Sequence, residues 1–124
     1  MKTIKKLPEA ELEIMLVVWD AKEAVTSEYI MARLNKDWTR PTLLKLLTRL
    51  TERGFLHCEK DGRHNIYTVL VPRVDYVQEA SGTFLQKLHD NSLTSLVASL
   101  YDGQKVSKAD LDELKRFIEE AEEG

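Results

Sequence analysis

The stretch KDWTRPTLLKLLTRLTERGF, residues 36–55, decides the fold of this chain of 124 residues. Its leucines recur with the i, i+3, i+4, i+7 spacing of an amphipathic helix, at Leu43, Leu46, Leu47 and Leu50. Thr39 is suited to the N-cap of this helix, Pro41 is tolerated in its first turn, and Gly54 is suited to its end. The stretch carries five Lys and Arg against two acidic residues, although the whole chain has a formal net charge of −3. The sequence therefore predicts one basic helix in an acidic protein.

The surface of this helix that faces away from the leucines is mostly polar. On a helical wheel with 100° per residue, seven positions lie on or next to the side opposite the leucines: Pro41, Thr42, Leu44, Lys45, Thr48, Arg49 and Glu52. The helix is thus expected to present leucines to a core and Thr, Lys and Arg side chains to a partner outside. Two alternatives stay open for Leu44, which either contacts that partner or packs within the domain.

Two helices are predicted ahead of the basic one. Pro8 opens the first, which ends near Lys22. Its inward stripe is predicted at Leu12, Met15, Leu16 and Trp19. Thr26 is a good N-cap for the second, a short helix that ends around residues 35–37.

A β-hairpin is predicted after the basic helix. The segments FLHCEK (55–60) and NIYTVLV (65–71) are rich in strand formers, and Asp61-Gly62 between them is a hairpin turn signal. Three helices followed by a hairpin are typical of the winged helix-turn-helix, in which the basic helix enters the major groove of DNA. The hairpin tip, DGRH, then lies beside it on the backbone or in the minor groove. We therefore expect a mainly α fold with a small β-hairpin, and a DNA-binding domain over residues 1–72.

Residues 73–124 have a different character. They hold 6 Lys and Arg against 11 Asp and Glu, whereas residues 1–72 hold 12 against 10. Three helical apolar stripes are predicted here, with Ser107 capping the last helix. A segment this small seldom buries its own core, so a second copy of the same segment is the simplest partner. The predicted dimerisation residues are Tyr76, Phe84, Leu88, Leu93, Leu96, Val97, Leu100, Leu111, Leu114 and Ile118.

Several other classes of protein are disfavoured by the sequence. The longest apolar run, residues 14–19, is far too short to cross a bilayer, and no apolar signal core follows the N-terminal lysines, which predicts a cytoplasmic protein. The single Cys58 allows neither an internal disulfide nor a multi-cysteine zinc site. His57 and Cys58 point to opposite faces of a strand, so we expect them not to share a metal. Catalytic motifs are absent, so we expect neither an enzyme nor a cofactor.

Four segments carry a resemblance to a known family: AELEIMLVVW (10–19), residues 36–55, KDGRHNIYT (60–68), and LTSLVASL (93–100) through VSKADLDEL (106–114). In these the chain resembles the penicillinase-repressor family of winged-helix transcriptional repressors, over nearly its whole length. The resemblance implies a homodimer on a double-stranded DNA operator with dyad symmetry, ahead of genes for β-lactam resistance or related stress functions. It also implies relief of repression by proteolysis, started by a membrane sensor-protease pathway, with no insertion of the repressor itself into the membrane.

The DNA-contacting residues are predicted from the helix face, the hairpin tip and this resemblance. The expected phosphate contacts are Thr39, Arg40, Arg49, Arg63 and His64. Thr42 matches a family threonine that contacts DNA and, with Lys45, is the expected base reader; Thr48 shares their face. Leu44 replaces a polar family residue and is expected to meet a thymine methyl group.

The position of cleavage is also an expectation from the resemblance. In the family, the sensor pathway cuts an Asn-Phe bond in the dimerisation region, and aligning LTSLVASLY places that bond at Ser99-Leu100. Serine and leucine here differ from the family residues. Two other functions stay open: a winged-helix protein-interaction module, and a repressor that responds to a ligand or metal, although the cysteine cluster of copper-responsive relatives is absent.

Overall fold

The computed structural model describes residues 4–124 and confirms the mainly α fold with a small hairpin. Residues 1–3, at the start of the predicted DNA-binding domain, lie outside the described part. The elements in chain order are α1 (Glu9–Ala21), β1 (Val25–Thr26), α2 (Ser27–Arg33), α3 (Arg40–Glu52), β2 (Leu56–Asp61), β3 (His64–Val69), α4 (Arg73–His89), α5 (Leu93–Asp102) and α6 (Lys108–Glu123).

The helix starts follow the capping chemistry of the sequence. The side chains of Thr26, Thr39 and Ser107 each accept a hydrogen bond from a backbone N–H in the first turn of the helix that follows. Gly54 adopts a φ of 82° just after α3, a conformation that favours glycine. The second helix is shorter than predicted, because Leu34 is already extended at φ −75° and ψ 133°.

The hairpin belongs to a three-stranded antiparallel sheet of order β1-β3-β2. Asp61 pairs with His64, so Gly62 and Arg63 form a two-residue turn, with Gly62 at a φ of 64°. The third strand, β1, is two residues long and pairs Val25 with Tyr67. Sequence reasoning missed β1, since a two-residue segment has no periodicity of its own.

The chain divides into two compact units, one running to Ala80 and the other covering Ser81–Gly124. In the first unit, the four leucines of α3 are buried, together with Ile14, Met15 and Val18 of α1. The buried stripe of α1 is rotated from the predicted one: Leu16 is exposed, and Glu11 is buried. Trp19 and Tyr67 are buried, as expected of core aromatics.

Tyr76, near the start of α4, corrects one predicted dimer contact. Its ring is buried and packs against Trp19 at 5.5 Å and Phe55 at 5.7 Å between ring centroids. Its hydroxyl accepts a hydrogen bond of 2.9 Å from the backbone N–H of Leu7. Tyr76 is therefore a core residue of the first unit, which extends eight residues beyond Pro72, and it is almost completely buried within the single chain.

The second unit exposes its apolar side chains. Neither α5 nor α6, both within the described part, contains a buried residue. Large exposed apolar residues are Phe84, Leu88, Leu93, Leu100, Tyr101, Phe117 and Ile118. An apolar groove of about 410 Å³ separates α5 from α6, and five of the predicted dimerisation residues line it: Leu93, Val97, Leu111, Leu114 and Ile118. In residues 4–124, no helix combines the length and apolar character that a membrane span requires.

Candidate nucleic-acid interface

The face of α3 opposite the leucine core is open to solvent. The predicted DNA contacts that are exposed on or beside α3 are Thr39, Arg40, Thr42, Lys45, Thr48 and Arg49. The leucines fix this face by burial, since all four lie in the core of the first unit. Sequence periodicity therefore located both faces of the helix correctly.

Hydrogen bonds at the start of α3 order two of the threonines. Thr39 Oγ1 accepts from the backbone N–H of Thr42 at 3.3 Å, and the two hydroxyl oxygens lie 3.1 Å apart. Further along, the hydroxyl of Thr48 donates to the carbonyl of Leu44 at 2.9 Å. The Thr48 oxygen therefore offers acceptor capacity, and not its own proton, to a partner on this face.

Leu44 packs within the domain through part of its side chain. The side chain is half-buried and packs against the hydrophobic core of the first unit. Contact between its exposed part and a thymine methyl group stays a prediction. The helix wheel placed Leu44 at the edge of the polar face, where a small rotation of the helix decides between the core and the outside.

The hairpin tip adds Arg63 and His64 to the exposed surface. Arg63 occupies the second position of the tight turn, and His64 is the first residue of β3. Both side chains protrude where the strands end, as expected of the hairpin tip of a winged helix, which is called the wing below.

Glu28 joins the wing to α3, and sequence reasoning missed it. This first-turn residue of α2 places Oε1 3.1 Å from Nη2 of Arg40 and Oε2 3.5 Å from Nδ1 of His64. Two predicted phosphate contacts from different elements thus meet one carboxylate. No local pattern signals this, since the partners lie 12 and 36 residues away from Glu28.

The pKa of the Glu28 carboxyl is lowered from its ordinary value. The largest cause is a hydrogen bond from its own backbone N–H; desolvation opposes the shift, and the charge and hydrogen bond of Arg40 add to it. The carboxylate is therefore ionised at neutral pH and attracts the Arg40 guanidinium and, when the imidazole is protonated, His64.

A second carboxylate fixes the other end of α3. Arg53, directly after the helix, donates from Nε to Oε1 of Glu11 in α1 at 2.7 Å. Glu11 is only 1% exposed, whereas the Arg53 side chain remains partly in solvent. Arg53 therefore contacts α1 and does not belong to the exposed face of α3 that carries the Thr, Lys and Arg side chains.

His57 and Cys58 lie on opposite sides of β2. His57 is exposed and contacts Glu59 at 3.1 Å, whereas Cys58 is partly buried against the core and pairs with Tyr67 across the sheet. Among residues 4–124, no group of three or more His, Cys, Asp or Glu side chains is arranged to hold a metal ion.

The family model of the penicillinase repressor matches residues 7–120 of this chain. The chain belongs to the penicillinase repressor family. The penicillinase repressor of Bacillus licheniformis is 32% identical, over 97% of this chain and 94% of that relative. The methicillin resistance regulatory protein MecI of Staphylococcus aureus (strain N315) is 29% identical, over 91% of this chain and 93% of that protein. This is a family of transcriptional repressors, which is not an enzyme class.

Two solved structures share the fold of the first part of the chain. The DNA-binding domain of the repressor BlaI aligns with a TM-score of 0.52 and 33% identity, covering 61% of this chain and 94% of that one. The monomeric form of Bacillus licheniformis BlaI, solved in complex with the blaP half-operator, aligns with a TM-score of 0.51, 32% identity and the same coverage. These likenesses confirm the winged-helix fold that the helix and hairpin pattern predicted.

Proposed function

We propose that this penicillinase-repressor family member is a homodimeric, sequence-specific DNA-binding transcriptional repressor of β-lactam-resistance or cell-stress genes. The observation that carries the proposal is the single exposed surface built by α3 and the wing. Glu28 contacts Arg40 at the start of α3 and His64 at the wing, so the two elements lie side by side. A helix for the major groove and a wing on the adjacent backbone require that arrangement.

The side chains on this surface divide by chemistry into two roles. Arg40, Arg49, Arg63 and His64, with the hydroxyl of Thr39, contact phosphates, which fix register without reading sequence. Lys45 and Thr42 lie on the exposed face of α3 and read base edges, and Thr48 supplies an acceptor on the same face.

The second unit makes the dimer. Its α5 and α6 have no buried residues, and their apolar groove needs a cover to leave water. A homodimer buries this surface on both protomers and supplies the two recognition helices that a dyad operator requires. The surface consists of Phe84, Leu88, Leu93, Leu96, Val97, Leu100, Leu111, Leu114 and Ile118.

Repression ends, in this proposal, when a membrane sensor-protease pathway leads to cleavage of the cytoplasmic repressor at Ser99-Leu100. Both residues are exposed near the end of α5. The carbonyl of Ser99 accepts from the N–H of Gly103 at 3.0 Å, so the last turn must open before a protease binds it. Intact mass of the repressor from host cells under a cell-wall antibiotic tests this step. Fragments ending at Ser99 support it, and intact repressor released from DNA contradicts it.

The test of the main proposal is DNA binding to the region upstream of the chain's own gene, measured by fluorescence anisotropy. Lys45→Ala should change the preference among sites, whereas Arg63→Ala should weaken all sites about equally. Lys6→Ala removes the same charge from an exposed position outside α3 and the hairpin, and serves as the control. Equal binding by the wild-type protein and all three variants would contradict the proposed surface.

A further inference from the structure

Glu28 is an acidic residue in the middle of a surface proposed to bind a polyanion. Its carboxylate lies within 3.1 Å of Arg40 and 3.5 Å of His64, one oxygen for each. Both partners are proposed phosphate contacts. These contacts therefore occupy the same side-chain donors that the proposed DNA phosphates would use.

We infer that Glu28 competes with DNA phosphate for Arg40 and His64 and thereby sets the affinity of the surface for DNA. The inference rests on the proposed function, and it adds a residue whose removal tightens binding. In the free protein, the Glu28 carboxylate contacts Arg40 and His64. In the complex, DNA phosphates take its place at both side chains, and the carboxylate faces solvent.

The chemistry of the site favours such an exchange. An arginine guanidinium binds carboxylate and phosphate oxygens through the same donors, so one can take the place of the other. The first turn of α3 has no acidic residue of its own, and the carboxylate that contacts its Arg40 guanidinium comes from α2.

The exposure of the three side chains makes the ion pairs easy to displace. Their exposed fractions are 42% for Glu28, 62% for Arg40 and 59% for His64. Solvent screens pairs of this kind, and they hold their partners weakly. In contrast, the Glu11–Arg53 pair has a buried carboxylate and serves to fix α3 in place.

The exchange has a consequence for the salt dependence of binding. A cation that docks on a phosphate releases about 0.9 of a counterion from DNA. When that cation leaves Glu28, the freed carboxylate adds a negative charge beside the DNA, which retains counterions there and cancels part of the release. Glu28→Gln should therefore steepen the slope of log K against log salt by up to about 0.9 per protomer, or roughly 1.8 per dimer.

The experiment compares wild-type protein with Glu28→Gln on two 30-base-pair duplexes, one from the upstream region and one of mixed sequence. Binding is measured from 50 to 200 mM salt. We expect tighter binding to both duplexes at 50 mM, with a gain that shrinks by roughly tenfold toward 200 mM for a dimer. Glu23→Gln, which removes one exposed acid outside these ion pairs, is the matched control and should change binding much less.

A second comparison isolates the arginine. In an Arg40→Gln background, Glu28→Gln should lose most of its effect, because the main cation it would release is gone. Thermal unfolding of each variant checks that the domain remains folded. Weaker binding by Glu28→Gln, or a gain equal to that of Glu23→Gln, overturns the inference and leaves the proposed function intact. Absence of binding by the wild-type protein to either duplex removes the proposed function itself, and this inference with it.

Discussion

Arg53 Nε and Glu11 Oε1 lie 2.7 Å apart, with the carboxylate almost completely buried. This pair joins α1 to the end of α3, 42 residues further along the chain. The buried charge is stable in this position because the guanidinium compensates it. The orientation of the proposed recognition helix therefore depends on leucine packing along its length and on an ion pair at its end.

Arg53→Met should destabilise the first unit, because it leaves the Glu11 charge buried without a partner. We expect a loss of about 3 kcal/mol in the free energy of unfolding, at the lower end for a broken buried pair because Arg53 is partly exposed. Urea denaturation measures the change. Glu13→Gln alters a neighbouring acid on the same helix and is the control. The double variant Glu11→Leu, Arg53→Met should recover much of the loss, and a double variant as unstable as Arg53→Met would contradict this reading of the pair.

The fragment that folds alone should end at Ala80. Removing residues 73–80 takes away Tyr76, which covers Trp19 and Phe55 and satisfies the N–H of Leu7. A fragment of residues 1–80 should unfold cooperatively, whereas one of residues 1–72 should be less stable by several kcal/mol, since it loses a buried aromatic side chain. Thermal unfolding by circular dichroism compares the two. Equal melting temperatures would place the domain boundary at Pro72 after all.

Leu88→Asp should convert the dimer to monomers. Leu88 is 67% exposed in the protomer, so a charge there costs the single chain little, whereas burying that charge in a dimer is unfavourable. Sedimentation velocity at micromolar concentration measures the assembly. Affinity for the upstream DNA should fall as well, because two half-sites no longer share one binding event. Gln86→Asp, which places the same charge at a neighbouring exposed position, is the control. If wild-type protein sediments as a monomer, the proposed dimer is wrong.

Local chemistry explains the parts of the fold that could be predicted from the sequence. Thr26, Thr39 and Ser107 cap helices through bonds to residues three positions away, and the leucines of α3 repeat at helical spacing. Such signals lie within a few residues, so a sequence displays them directly. The exposed face of α3 and the wing followed from them.

Contacts between distant segments explain the parts that could not be predicted. The phase of α1 accompanies such a contact, because Glu11 is buried against Arg53 while Leu16 is exposed. Strand β1 exists because Tyr67, 42 residues later, pairs with Val25. Glu28 meets His64 only once the hairpin has folded back toward α2. Each depends on a partner that periodicity and capping rules do not identify.

The most direct test of the central claim, that α3 and the wing dock a dimer on DNA, is the salt dependence of wild-type binding to the upstream duplex. If each protomer neutralises three or four phosphates, a dimer neutralises roughly six to eight, and log K against log salt should have a slope of about −5 to −7, made shallower by up to about 1.8 by the two Glu28 carboxylates. Fluorescence anisotropy from 50 to 200 mM salt measures it. A slope in that range supports groove docking by two recognition helices and two wings. A slope shallower than about −2 would contradict it, because so few phosphate contacts cannot come from this surface on two protomers.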